Sequence, residues 1–143
     1  MLVRDIMTYN AETIDTGANL REAAKKMKNY DIGALPICEG DELVGMITDR
    51  DITIRAVAEG KDPFTTRVTE VMTPDVFYCL EDEEIQEAAK IMEEKAIHRL
   101  LVLNSDYEPI GFVSLSDFAV KSNDKQLTWE VLEKISEPAS PNR

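Results

Sequence analysis

Val3-Arg4-Asp5-Ile6-Met7-Thr8 returns as Val68-Thr69-Glu70-Val71-Met72-Thr73, and Leu20-Arg21-Glu22-Ala23-Ala24-Lys25-Lys26-Met27 returns as Ile85-Gln86-Glu87-Ala88-Ala89-Lys90-Ile91-Met92. One offset relates both pairs, because 68 and 3, like 85 and 20, differ by 65. After one inserted residue, Gly45-Met46-Ile47-Thr48-Asp49-Arg50-Asp51-Ile52 returns as Gly111-Phe112-Val113-Ser114-Leu115-Ser116-Asp117-Phe118. An internal repeat governs architecture, since each copy is a supersecondary unit that must bury its apolar face against a neighbour. Two copies are too few for a solenoid. They predict one pseudo-symmetric α/β domain with a shared seam, and such seams favour ligand sites.

The surrounding pattern fills in each copy. Leu20, Ala23, Ala24 and Met27 fall at i, i+3, i+4 and i+7, the apolar stripe of an amphipathic helix. Asn19 and Glu22 form a capping pair at its start. Ile85, Ala88, Ala89 and Met92 repeat the stripe, so both alanine pairs are expected to be buried in equivalent places, each helix lying close against a sheet. Two short apolar runs come next, Ala34–Cys38 and Leu43–Thr48, around the turn Glu39-Gly40-Asp41-Glu42; the second copy gives Arg99–Leu103 and Pro109–Ser114 around Asn104-Ser105-Asp106. A second helix opens at Thr48 or Asp49 and stops near Gly60, with a counterpart opening at Ser114. Short segments at Glu12–Asp15 and Val76–Cys79 read as an extra strand ahead of each first helix. The expected unit is β-α-β-β-α, over residues 1–62 and 66–122. Residues 123–143 hold a closing helix, Asp124–Ile135, and a Pro-rich end expected to fray.

Composition excludes several classes of function. The chain has 143 residues, 43% hydrophobic and 31% charged, which is the balance of a folded globular protein. No stretch approaches the ~20 apolar residues needed to cross a bilayer. The start carries no apolar core with a cleavage site, so a cytoplasmic protein without membrane partners is expected. Cys38 and Cys79 lie in apolar runs without Cys-x-x-Cys spacing, and read as buried thiols. The net charge of −12, from 16 basic and 28 acidic residues, argues against a nucleic-acid surface but leaves room for a local anion pocket.

Two constellations carry chemistry. The first is the strand-to-helix turn, Thr48-Asp49-Arg50-Asp51 and Ser114-Leu115-Ser116-Asp117. A hydroxyl followed three residues later by a carboxylate caps a helix N-terminus. The same carboxylate has acceptor oxygens enough to take both hydroxyls of a ribose. The residues alone leave both readings open. The second constellation is Ile97-His98-Arg99-Leu100 at the start of a strand. The planar fork of Arg99 suits phosphate, and a solvated strand end explains it equally well.

The Met-Thr opening of each repeat, the helix with paired alanines, Gly-Ala-Leu-Pro-Ile at 33–37 and Gly-x-x-[Thr/Ser]-x-x-Asp at 45–51 and 111–117 together resemble a tandem cystathionine-β-synthase-type (CBS) pair, the Bateman module, over residues 1 to about 122. That resemblance implies two repeats related by an approximate two-fold axis and, in the cleft between them, sites for adenosine nucleotides that borrow from both copies. One site would place the ribose on Asp117 with Ser114 and Ser116 beside it, and the base against Thr8, Ala11, Thr13, Ile32 and Gly33. The other would use Thr48, Arg50 and Asp51 with Thr73, Val76, Tyr78, Ile97 and His98. Arg99 would serve phosphate in either. Gly33 and Ala34 stand where the second repeat has His98 and Arg99, so the sites are chemically unequal.

The resulting expectation is a regulatory module that binds AMP, ADP, ATP or a related adenosyl compound and acts in trans on a protein partner, since the repeats consume the chain. It is expected to be a homodimer, a C2 pair being the commonest soluble assembly. The alternative is a ligand-free structural dimer with vestigial clefts. Neither a catalytic residue nor a metal is expected: there is a single His, no Gly-x-Ser-x-Gly elbow, no Walker loop and no ligand cluster with metal spacing.

Overall fold

The computed structural model describes residues 1–10 and 12–137. In chain order the elements are α1 (Val3–Ile6), β1 (Thr8–Tyr9), β2 (Ile14–Asp15), α2 (Leu20–Tyr30), β3 (Ala34–Glu39), β4 (Glu42–Thr48) and α3 (Asp49–Asp51). A π-helix (Ile52–Val57) continues α3, and a 3-10 turn (Val68–Glu70) lies beyond it. Then come β5 (Tyr78–Leu80), α4 (Ile85–Lys95), β6 (Arg99–Leu103), β7 (Pro109–Ser114), α5 (Leu115–Lys121) and α6 (Lys125–Ile135). This is the expected α/β class. Ala11, expected to contact the base, and residues 138–143, which include the Pro-rich end, lie outside the described residues.

The chain divides into two compact units, and they do not coincide with the repeats. One takes the described residues of Met1–Ala11 and Phe77–Arg143; the other is Glu12–Val76. Each repeat's opening segment therefore packs with the body of the other repeat. In the first unit the sheet order is β1-β7-β6-β5, with β5 parallel and β1 antiparallel to its neighbour. In the second it is β2-β3-β4, with β2 parallel to β3. The counterpart of β1 there is the single bridge of Thr73 to Met46, closed by Met46 N–H on the Thr73 carbonyl (2.9 Å) and the reverse (2.8 Å).

The two first helices share their ends as well as their stripes. The capping box of Asn19 and Glu22 is formed, with both bonds at 2.9 Å. Both helices close on a left-handed residue, Asp31 (φ 53°) in α2 and Ala96 (φ 53°) in α4, which ends the helix by turning the next N–H back onto its last carbonyls. Leu20, Ala23 and Met27 are buried with Leu35, Ile37 and Ile47 in one core, and Ile85, Ala88 and Met92 with Leu100, Val102 and Val113 in the other.

Equivalence of the alanine pairs holds only in part. Ala23, Ala88 and Ala89 are buried, but Ala24 is exposed. The difference arises in the chain beyond each unit's second helix. Helix α6 packs on α4 and α5, seating Val131 and Ile135 in the core that contains Ala89. In the other unit the corresponding residues run as a turn-rich connection. It bonds the start of α2, through Leu20 N–H to Thr66 O (3.0 Å) and Arg21 N–H to Pro63 O (3.1 Å), and leaves Ala24 open to solvent. Ala89→Gln is accordingly expected to cost about 3 kcal/mol, by pushing a larger polar side chain under α6, and Ala24→Gln less than about 0.5 kcal/mol. Urea unfolding of both variants checks this, and equal costs would contradict the asymmetry.

The second helix of the first repeat also departs from expectation. It is α-helical for one turn and then widens into the π-helix, ending at Val57, with Gly60 in the left-handed region (φ 71°) beyond it. The run Ile52-Thr53-Ile54 is β-branched, which disfavours regular α-helix, and the Thr53 hydroxyl donates to the Asp49 carbonyl (3.1 Å).

Candidate functional site: two aspartate turns

Each unit delivers an aspartate to the first turn of a helix directly from a strand end. At the end of β4 the Thr48 N–H donates to Asp51 Oδ2 (3.0 Å) and the Asp51 N–H donates to Thr48 Oγ1 (3.0 Å). At the end of β7 the Ser114 N–H donates to Asp117 Oδ2 (3.0 Å) and the Asp117 N–H to Ser114 Oγ (3.2 Å). Both are closed capping boxes, so the capping role read from the sequence is real. It does not exhaust the residues. Asp51 and Asp117 are 8% and 7% exposed, and they are the buried charged side chains among the described residues. A carboxylate is costly to bury unless its oxygens are met by donors, and the box uses only Oδ2 in each.

The group facing the second oxygen comes from the other repeat's opening segment. The Thr8 hydroxyl donates to Asp117 Oδ1 (3.1 Å). The Thr73 hydroxyl lies 3.5 Å from both oxygens of Asp51, at the long edge of hydrogen bonding. A glycine permits each approach. A Cβ on Gly111 would fall on the carbonyl oxygen of Thr8, and one on Gly45 would lie 2.6 Å from Met72 Sδ and 3.2 Å from the Thr73 carbonyl oxygen. The glycine of Gly-x-x-[Thr/Ser]-x-x-Asp thus makes room for the threonine that reaches the aspartate.

Two bases that the sequence pattern did not single out complete the turns. Lys121 Nζ lies 3.2 Å from Asp117 Oδ1, and Arg55 Nε lies 3.8 Å from Asp51 Oδ1. Arg55 also donates through Nη1 to the carbonyls of Met72 (3.0 Å) and Val71 (3.5 Å). The available signal was a basic residue four positions after the motif's aspartate in both repeats, one helical turn away on the same face.

The other residues expected in the sites are spread more widely. The Gly33 carbonyl accepts the Asp49 N–H (3.0 Å) and the His98 carbonyl accepts the Leu115 N–H (2.9 Å), so each adjoins the turn of its own unit. Ile32 and Ile97 sit just before them, half-buried, with their N–H groups on the carbonyls of Met27 (3.0 Å) and Met92 (3.1 Å). Arg99 opens β6 opposite Ser114 and is exposed, as are Ser116 and Arg50. Thr13 accepts from Lys26 Nζ through its carbonyl (2.6 Å). Tyr78 stacks edge-on against Tyr107 with centroids 6.3 Å apart, and Val76 is half-buried.

The two cysteines are buried. Burial, with a smaller contribution from Glu83, pushes the Cys79 thiol up to about 12; burial and then Asp41 raise that of Cys38. Neither is suited to act as a thiolate. No group of three or more His, Cys, Asp or Glu side chains stands where it could hold a metal, and no helix is long and apolar enough to cross a membrane.

Known proteins share this sequence pattern and fold. The family model described as "CBS domain" matches residues 3–57 and 68–123. Hypoxic response protein 1 of Mycobacterium tuberculosis is 39% identical over 117 residues, 81% of each chain. Among solved structures, Hypoxic Response Protein I with two coordinated zinc ions is 38% identical, with a TM-score of 0.72 over 83% of this chain and 97% of that one. The domain pair of protein MJ0100, in complex with 5′-methylthioadenosine and S-adenosyl-L-methionine, is 32% identical, with a TM-score of 0.72 over 83% of this chain and 93% of that one.

Proposed function

Since the chain belongs to the CBS domain family, we propose that it is a regulatory module that binds an adenosine nucleotide or related adenosyl compound at its aspartate turns and acts in trans on a protein partner. The observation that carries this reading is the pair of buried carboxylates, each with one oxygen committed to the helix cap and a threonine hydroxyl of the opposite repeat beside it, 3.1 Å from Oδ1 of Asp117 and 3.5 Å from both oxygens of Asp51. A ribose diol is the same donor type as that hydroxyl, and an ionised carboxylate accepts up to about four hydrogen bonds. The binding of 5′-methylthioadenosine and S-adenosyl-L-methionine by the MJ0100 pair supports an adenosyl ligand class here. A cytoplasmic homodimer belongs to the same reading.

Calorimetric titration with adenosine, AMP, ATP, 5′-methylthioadenosine and S-adenosylmethionine tests it. At least one is expected to bind at micromolar to low-millimolar concentration. Arg99→Ala is expected to weaken AMP and ATP about ten-fold, the loss of one charge-assisted phosphate contact, while sparing adenosine. Equal loss of adenosine and AMP would mean that Arg99 shapes the site without reading phosphate. No heat from any of the five at millimolar concentration would favour the structural dimer, for which the capping boxes already account for both aspartates.

A further inference from the structure

We infer that Lys121 and Arg55 are the positioning residues of the two aspartate turns: each holds the carboxylate that receives the ligand's hydroxyls, without itself contacting the ligand. The inference rests on the function proposed above and names a part of the site that the family motif does not contain. Three observations converge on it. The two bases occupy the same place, four residues after the aspartate, in both repeats. Each points at the same oxygen, Oδ1, which is the one the capping box leaves free. And the aspartates they meet are buried, so the partner charge is the near counter-ion of a carboxylate removed from water.

The geometry also says how the two turns differ. Lys121 approaches Asp117 closely, and Thr8 shares the same oxygen, so three donors already surround that carboxylate. Arg55 stands farther from Asp51 and spends its Nη1 on the carbonyls of Met72 and Val71, immediately before Thr73. It therefore aligns the aspartate and the threonine-bearing segment at once. A lysine can replace its charge but not that planar fork. Lys121 is a point charge whose replacement by arginine keeps its function.

The test is adenosine binding by calorimetry in wild type, Lys121→Met, Lys121→Arg, Asp117→Ala and the double variant Lys121→Met/Asp117→Ala, with Arg55→Met and Arg55→Lys for the other turn. Lys121→Met is expected to weaken adenosine about ten-fold, to weaken AMP by the same factor, and to be rescued by Lys121→Arg. In the double variant it should add nothing to Asp117→Ala, since it acts through that carboxylate. Arg55→Lys should recover part, not all, of the affinity lost in Arg55→Met. An unchanged or higher affinity in Lys121→Met overturns the inference, because the base then merely competes for the oxygen. So does a loss confined to AMP, which would make Lys121 a phosphate contact, or a full additive loss in the double variant. If wild type binds and Asp117→Ala does not, while Lys121→Met is unaffected, this inference fails and the proposed function stands; if wild type itself does not bind, the proposed function fails first.

Discussion

Asp117→Ala is expected to weaken adenosine-nucleotide binding by ~2–4 kcal/mol, a loss of about 30- to 900-fold, because two charge-assisted hydrogen bonds to the ribose disappear together. Asp51→Ala is expected to do the same at the other turn. The structure adds a complication that the experiment must absorb. Each aspartate also closes a capping box, so alanine is expected to cost about 1 kcal/mol of stability at each turn even with no ligand present. Asp117→Asn separates the two effects. Its amide oxygen can still accept the Ser114 N–H, preserving the cap, while the second oxygen facing Thr8 and Lys121 becomes an NH₂ donor. Near-native stability with affinity lost as in the alanine variant is the expected outcome. Retained affinity in Asp117→Asn would reduce Asp117 to a helix cap. Calorimetric titration together with urea unfolding of the three variants reads both quantities.

Gly111→Ala carries the largest expected cost to the fold itself, about 3–4 kcal/mol, against about 1 kcal/mol for Gly45→Ala. The two glycines hold the same motif position, but their neighbours differ. At Gly111 the new Cβ collides with a backbone atom, the Thr8 carbonyl oxygen, in a strand pair that fixes Thr8 opposite Phe112 and Tyr9 opposite Gly111. Backbone held in a ladder cannot step aside, so β1 must detach. At Gly45 the closest atom is the sulfur of Met72, the far part of a flexible side chain, and the Thr73 carbonyl oxygen lies farther off at 3.2 Å. Detaching β1 also removes Thr8 from Asp117, so Gly111→Ala is expected to weaken ligand binding at that turn in proportion to its effect on stability. Thermal unfolding of the two variants side by side decides the matter, and equal shifts in midpoint would show that the approach of β1 to β7 does not constrain this position.

Much of this was legible in the residues. The 65-residue offset announced two copies of one unit, and the 3.6-residue apolar stripes located α2 and α4 with their caps, since spacing along a helix is a property of the chain alone. Both strand pairs, the short leading strands and α6 were readable from apolar runs and turn residues in the same way. The Thr/Ser-x-x-Asp spacing was sufficient to place each aspartate on a first helical turn, because a capping box is local geometry. The tertiary structure decided which surface meets which. No local pattern states that residues 1–11 join the second repeat's body while 68–76 stay with the first, and it is this exchange that brings Thr8 to Asp117 and Thr73 to Asp51. Ala24 and Ala89 have the same neighbours in sequence and opposite fates, because burial depends on a helix that covers one and has no counterpart over the other. Arg55 and Lys121 read as ordinary surface bases until the fold turned a buried carboxylate toward them, since the strength of a charge pair is set by the burial of its partner and not by its own position in the chain.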